Sequence, residues 1–127
     1  MNKIIAIAAL VATIGFTASC SKSPDKALPR KDGVWNVTSV YTLGTFTNTS
    51  VGVATFKKDG TVTWVFGNTT ETKNWSYSKD SKKITLAKNG SSEVYDVTET
   101  ALKSEKWQQK TTVAGITATT DISLTKK

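Results

Sequence analysis

The chain has 127 residues, of which 38% are hydrophobic and 21% charged, a size that suits one domain with one modest core. It has no histidine and a single cysteine, which excludes the usual base of a serine triad, the common zinc ligands and an internal disulfide. The net charge of +7 does not predict a nucleic-acid partner, because the only arginine, Arg30, precedes the domain and the lysines group at predicted turns.

The N-terminal segment has the order of a secretory signal peptide. Met1 to Lys3 is basic, Ile4 to Phe16 is uncharged, and Thr17-Ala18-Ser19 supplies small residues before Cys20. The uncharged run is shorter than the roughly 18 apolar residues that a membrane-spanning helix needs. We therefore predict export with removal of residues 1–19.

Cys20 lies at the expected cleavage site, and Thr17-Ala18-Ser19-Cys20 resembles the bacterial lipobox, with Thr17 where that motif prefers leucine. The resemblance implies cleavage before Cys20 and a covalent diacylglycerol and N-acyl chain (palmitate) on it, with no other cofactor. It also implies a lipid anchor in the cell envelope, and Ser21 in place of aspartate favours the outer membrane. A plain secretory signal with an incidental cysteine, or an uncleaved anchor, is the alternative.

Residues 20–31 are predicted to be a flexible, lipidated tether. The segment from Ser21 to Lys31 is polar, contains Pro24 and Pro29, and shows no apolar period.

Residues 32–127 form the predicted domain, in which apolar residues alternate with polar ones between turn signals. Turns are expected at Asp59-Gly60, Gly67-Asn68, Lys79–Lys82 and Asn89-Gly90. The expected strands are Val34–Thr42, Val51–Lys57, Thr61–Phe66, the segments around Trp75 and Tyr77, Ile84 and Leu86, and Tyr95 and Val97, then Leu102–Lys110 and Ile116–Thr125. About eight short strands joined by short links favour an all-β, antiparallel up-and-down barrel.

Two details of this barrel are also predicted. Leu102 and Trp107 are out of phase for one strand, which indicates a bulge between them. Two threonine-rich stretches, Thr42–Ser50 and Lys110–Thr120, are expected to be loops at the barrel ends, where a mouth or a partner surface would lie.

Gly33 and Trp35 open the first strand as a G-x-W motif, which resembles the start of the lipocalin and fatty-acid-binding barrels. The Asp59-Gly60-Thr61 turn, Trp75 and a last strand that ends in lysine extend the similarity to the small lipocalin-like lipoproteins of Gram-negative bacteria, over roughly residues 32–126. The resemblance implies that Trp35 plugs the closed end of a barrel that carries a ligand. Full-length lipocalins are longer and pack an arginine on this tryptophan, whereas residues 32–127 contain none.

The candidate ligand-binding residues are aromatic side chains that the alternation turns inward: Trp64, Phe66, Trp75, Tyr77, Tyr95 and Trp107. The alternative is that they only fill the core. The carboxylates, among them Glu71, Glu93 and Glu105, are expected to face solvent and to form no catalytic pair or metal site. We therefore expect no enzymatic activity.

Two functions remain open at this stage. The leading hypothesis is an envelope lipoprotein whose barrel binds a small apolar or amphipathic ligand. The alternative is a protein-interaction module, either an accessory subunit of an envelope complex or an enzyme inhibitor, with a solid core. A cavity of a few hundred Å³ against Trp64 and Trp75 would favour the first hypothesis, and an interior packed with aromatic side chains would favour the second.

Overall fold

A computed structural model describes residues 23–127. The predicted signal peptide and Cys20 lie outside the described residues. The described chain contains one short helix, α1, and eight strands. Their bounds are α1 Pro24–Ala27, β1 Val34–Leu43, β2 Phe46–Phe56, β3 Thr61–Phe66, β4 Thr69–Ser78, β5 Lys83–Lys88, β6 Ser91–Thr100, β7 Ser104–Val113 and β8 Ile116–Lys126.

The strands form a closed antiparallel barrel in chain order, and β1 pairs with β8 to complete it. The predicted all-β, up-and-down barrel of eight strands is therefore confirmed. Because every link joins neighbouring strands, the turns alternate between the two ends of the barrel. The end that holds the start of β1 and the end of β8 is called the closed end below, and the opposite end is called the open end.

The closed end is plugged by Trp35 and by the chain that precedes β1. Trp35 is 0% exposed, and its indole Nε1 donates a hydrogen bond of 2.9 Å to the carbonyl oxygen of Leu28, which is also fully buried. The ammonium of Lys126, at the end of β8, lies 5.2 Å from the centre of the Trp35 ring. This cation–π contact ties the last strand to the tryptophan that opens the first.

The segment before β1 differs from the predicted flexible tether. Pro24–Ala27 forms one helical turn, and Pro24, Ala27 and Leu28 are buried against the barrel. Sequence composition missed this because three apolar residues in a polar segment show no period. Their burial under the barrel leaves only the residues before Ser23 as a spacer to Cys20.

Gly33 is required by the geometry of the closed end. Its φ angle is +70°, and a Cβ atom added to it would lie 2.0 Å from the carbonyl oxygen of Phe56. The amide of Phe56 in turn donates a 2.8 Å hydrogen bond to the Gly33 carbonyl. The G-x-W motif thus combines a glycine that lets two backbones approach with the tryptophan that fills the space behind them.

The two threonine-rich stretches are strands rather than the predicted loops. β1 and β2 pair along their full length from Val34↔Thr55 to Leu43↔Phe46, and β7 and β8 pair up to Val113↔Ile116. Threonine is a strong strand former, so these residues continue the ladders. The positive φ angles of Ala114 and Gly115, +52° and +80°, suit a tight two-residue hairpin turn.

Two strand pairs are joined only in the closed half of the barrel. β3 pairs with Val53–Phe56 of β2, and the β6–β7 ladder runs from Asp96↔Gln108 to Thr100↔Glu105. A register shift in the second ladder lies on β6 between Val97 and Glu99. The bulge predicted between Leu102 and Trp107 is therefore on the neighbouring strand, because Leu102 belongs to the turn before β7.

This packing predicts that Gly33→Ala destabilises the barrel far more than Gly67→Ala. Both glycines have positive φ angles, but nothing lies within 4 Å of a Cβ atom at Gly67. We expect a loss of about 1 kcal/mol for Gly67→Ala from backbone strain alone, and about 3 kcal/mol or more for Gly33→Ala, where overlap is added. Urea unfolding measures both values. Equal losses would contradict the close approach of Gly33 to Phe56.

Candidate functional site

A cavity of about 160 Å³ lies inside the half of the barrel nearer the open end and opens toward that end. Its apolar wall comes from β3, β5, β6 and β8, and its polar rim comes mainly from β4 and β6. The lining residues are Ser39, Trp64, Phe66, Glu71, Lys73, Leu86, Glu93, Tyr95 and Ile122. The cavity thus has the composition of a small ligand site, which is apolar inside with a few polar groups at one side.

Alternation along β3 places the two aromatic rings of the wall. Trp64 and Phe66 are two residues apart, so both face inward, and their rings stack at 5.9 Å with an interplanar angle of 27°. Below them Phe56 packs edge-on against Trp64, Trp75 and Trp107, at centroid distances of 6.2, 5.5 and 6.1 Å. These rings fill the closed half, so the cavity is confined to the half above Trp64.

The small side chain of Ser39 on β1 leaves part of the space that the cavity occupies. The space in front of Gly52 on β2 is instead taken by Phe66, since an added Cβ atom would lie 2.8 Å from the phenyl ring. Across the barrel, Leu86 and Ile122 complete the apolar wall. The cavity therefore follows from the difference in size between facing side chains.

A chain of ion pairs crosses the rim of the cavity. The ammonium of Lys73 lies 3.1 Å from Glu93 Oε1 and 3.9 Å from Glu71 Oε1, and Lys88 lies 3.4 Å from the other oxygen of Glu71. These residues come from β4, β5 and β6, which are neighbours in the barrel. Glu71 and Glu93 were expected to face solvent, and their side chains are 44% and 48% exposed, but both also line the cavity.

A wider groove continues from this rim. It encloses about 280 Å³ and shares Glu71, Lys73, Leu86 and Glu93 with the inner cavity. Its remaining wall is the hairpin of β5 and β6, from Lys88 to Ser92. A molecule seated in the cavity can therefore extend past the charged rim along this hairpin.

Two polar groups of the wall differ in their access to the cavity. The indole Nε1 of Trp64 has almost no accessible surface and no hydrogen-bond partner within residues 23–127, so it does not face the cavity. An unsatisfied buried donor of this kind costs about 1–3 kcal/mol. Burial, with a smaller effect of the Glu93 charge, raises the pKa of Tyr95 to about 12, so its phenol keeps its proton.

The structure brings together three of the six predicted binding residues. Trp64, Phe66 and Tyr95 line the cavity, and Trp107 is buried below it with its ring 6.0 Å from that of Tyr95. Trp75 is half-buried toward the closed end, where its Nε1 donates to the carbonyl oxygen of Lys57 at 3.1 Å.

Tyr77 lies with Trp75 on the closed-end side of the barrel. It lines a different hollow with Ser23, Lys82 and Val97 and does not line the cavity.

Sequence reasoning missed six lining residues: Ser39, Glu71, Lys73, Leu86, Glu93 and Ile122. The alternation that places Trp75 inward also places Lys73 and Glu71 inward, two and four residues earlier on the same strand. Extending the phase of each strand to its end, whatever the polarity of the residue, would have found them.

Glu105 lies deep in the closed half and is 1% exposed, against the expectation of a solvated surface carboxylate. It accepts hydrogen bonds from the Thr100 hydroxyl and from Trp107 Nε1, the latter at 3.2 Å. Burial raises its pKa to about 7, and these two hydrogen bonds act in the opposite direction. The side chain faces inward because it is two residues before Trp107 on β7.

This burial predicts a stability that falls as the pH rises toward neutrality. Between the ordinary pKa of 4.5 and about 7, the folded chain keeps a proton on Glu105 that the unfolded chain has released. The proton held by Glu105 therefore stabilises the folded state by roughly 3 kcal/mol. This stabilisation is fully present below pH 4.5 and is lost by about pH 7. Urea unfolding of the wild type and of Glu105→Gln across this range measures it.

We expect the difference between the two unfolding free energies to change with pH. A constant difference for Glu105→Gln would contradict the raised pKa.

Comparison with protein families, with curated proteins and with solved structures finds no match for this chain. Within residues 23–127, no helix is long and apolar enough to cross a membrane. The same residues contain no group of three or more acidic or cysteine side chains placed to hold a metal ion. The geometry of the cavity is therefore the main basis for a functional proposal.

Proposed function

We propose that this protein is a non-enzymatic envelope lipoprotein whose barrel binds a small amphipathic ligand at the open end. The supporting observation is the cavity between Trp64, Leu86 and Ile122, with Lys73 and its two carboxylates at the rim. An apolar body would contact the aromatic wall. A polar head group would lie at the rim, where it can exchange with the existing ion pairs.

The size of the cavity limits the ligand. Apolar cavities of about 150 Å³ hold a benzene-sized molecule, whereas sites for drug-sized ligands are usually about 300–1,000 Å³. The cavity of about 160 Å³ belongs to the first class. We therefore propose a ligand with a compact aromatic or short aliphatic body and a head group that continues into the groove.

The ligand carries a hydrogen-bond acceptor in this proposal. The protonated phenol of Tyr95 supplies a donor in the cavity wall, and Lys73 supplies a positive charge on a side chain that is 19% exposed. A carboxylate or carbonyl group would interact with both kinds of group. The carboxylates of Glu71 and Glu93 would repel an anionic head group unless it takes over their pairing with Lys73, which selects against highly charged ligands.

Tryptophan fluorescence of the protein, titrated with aromatic acids, short and medium fatty acids, bile acids and sterol-like compounds, tests this proposal. We expect a saturable change for compact acids, because Trp64 lies in the cavity wall. Ser39→Phe should abolish the change by filling the cavity, and Val40→Phe, the next residue on the outward face of β1, should leave it in place.

The proposal fails if no compound of the panel changes the fluorescence at high micromolar concentration. It also fails if Ser39→Phe and Val40→Phe affect binding equally, since that would exclude the cavity as the site.

A protein-interaction module is the second candidate, and the apolar side chains of the open end favour it. Phe46, Val113 and Ile116 are 58%, 44% and 50% exposed and lie at the tips of the two long hairpins. Exposed apolar side chains grouped on one surface are typical of interaction sites. Cross-linking in cells to a single stoichiometric partner, together with no response to the ligand panel, would support this candidate instead.

The lipid anchor is proposed from the sequence around Cys20. We expect Cys20→Ala to prevent acylation and to release or mislocalise the protein, because the thiol is the acceptor of the diacylglyceryl group. Labelling with a radioactive fatty acid and fractionation of the cell envelope measure the two effects. The anchor is contradicted if Cys20→Ala associates with the membrane as the wild type does and the wild type carries no lipid label.

A further inference from the structure

Charged residues are segregated between the two ends of the barrel. The four turns of the open end are Gly44-Thr45, Gly67-Asn68, Asn89-Gly90 and Ala114-Gly115, and none of them contains a charge. The links and termini of the closed end contain nine basic residues, and Lys126 at the end of β8 is a tenth. The nine are Lys26, Arg30, Lys31, Lys57, Lys58, Lys79, Lys82, Lys103 and Lys127. The acidic residues in the same segments are Asp25, Asp32, Asp59 and Asp80.

A basic groove lies at this end. It encloses about 460 Å³ and is lined by Arg30, Lys31, Asp32, Lys103, Lys126 and Lys127. Lys126 is held inside the structure, since its ammonium donates to the Arg30 carbonyl at 2.7 Å and lies 3.5 Å from Asp32. The single carboxylate of the groove is therefore already paired.

The other cations of the groove are available to an external anion. Arg30, Lys31, Lys103 and Lys127 form no ion pair with any residue of 23–127. By contrast, Lys73 and Lys88 at the open end are paired with Glu71 and Glu93. The unpaired positive charge of the described chain is thus concentrated on the closed end.

The chain that leads to Cys20 leaves the barrel at the same basic end. Leu28 and helix α1 are packed on the closed end, so Ser23 leaves the barrel there. Only Ser21 and Lys22 separate Ser23 from Cys20. Three residues span at most about 11 Å, which is close to the distance of about 8 Å over which charges act at physiological salt.

We propose that the closed end is a membrane-docking surface that binds anionic phospholipid head groups and points the open end away from the bilayer. This inference rests on the proposed anchor at Cys20, because the acyl chains bring the basic end within range of the head groups. Each lysine or arginine near an anionic bilayer contributes about 1 kcal/mol, and a lipid chain combined with a basic patch is a known way to obtain stable attachment.

Spin labels on the full acylated chain test this orientation. Acylation consumes the thiol of Cys20, so a cysteine introduced by Ser81→Cys at the closed end, or by Asn68→Cys at the open end, is the only labelled site. Both positions are exposed turn residues. The protein is reconstituted in vesicles of phosphatidylcholine alone, or with about one third phosphatidylglycerol, each with a trace of nickel-chelating lipid. The collision rate of each label with the nickel head groups is then measured.

We expect the Ser81 label to collide at least about threefold more often than the Asn68 label when phosphatidylglycerol is present. The ratio should fall in vesicles without anionic lipid and in about 0.5 M salt, which screens charges beyond about 4 Å. Equal ratios in the two kinds of vesicle would overturn the proposal, because the linker alone would then set the orientation.

Two charge-reversal variants, one before β7 and one near its other end, test whether the basic groove is the surface that docks. Lys103→Glu lies at the closed end and should lower the ratio of docked to undocked protein, obtained from the collision rates, by about fivefold or more. Lys110→Glu makes the same change in net charge about 23 Å along the strand and should have no such effect. Similar effects of the two variants would overturn docking through the basic groove, and near-ultraviolet circular dichroism controls for folding.

A mass spectrum of the purified chain separates the two proposals. A chain without acyl groups on Cys20 contradicts the anchor, and with it the docking geometry that depends on it. An acylated chain whose two labels collide equally with nickel lipid contradicts the docking surface and leaves the anchor in place. The ligand titration at the open end is independent of both results.

Discussion

The hydrogen bond from the Trp35 indole to the Leu28 carbonyl is the contact on which the rest of this structure depends. It joins the first strand to the chain before it. The ammonium of Lys126, from the last strand, lies over the same Trp35 ring. One end of the barrel is thereby sealed, and the buried indole N–H of Trp35 has a hydrogen-bond partner. Gly33 makes this possible, because its lack of a side chain lets β1 approach Phe56. The open space inside the barrel is consequently left at the other end.

Aromatic packing and a small residue divide the interior into two halves. Phe56 holds three tryptophan rings together in the closed half, where no cavity lining residue lies below Trp64. Above Trp64, the small side chain of Ser39 leaves space, and the β2–β3 ladder is limited to the closed half. The interior is therefore neither a solid core nor a deep calyx. It combines a rigid base with a shallow site, which suits a ligand much smaller than those that large barrels carry.

The barrel and its strand order could be predicted from alternation and turn residues, because period-2 patterns and short links allow few other arrangements. Trp64, Phe66 and Tyr95 were predicted at the site for the same reason. Glu71, Lys73 and Glu105 were not, because polarity was taken as a sign of outward orientation although their strand phase turns them inward. The buried Leu28 gave no periodic signal, and the threonine-rich strands lacked the apolar residues by which strands are usually recognised.

Because the strands alternate in direction, successive turns lie at opposite ends of the barrel. Every second turn belongs to the end with the cavity, and the others belong to the basic end, although the two sets are interleaved along the sequence. A mutation in a single two- to four-residue link therefore alters one end only, with a rigid aromatic base between them. The two ends of such a chain can vary independently without a second domain, and the open-end hairpins are suitable positions for grafting a binding site.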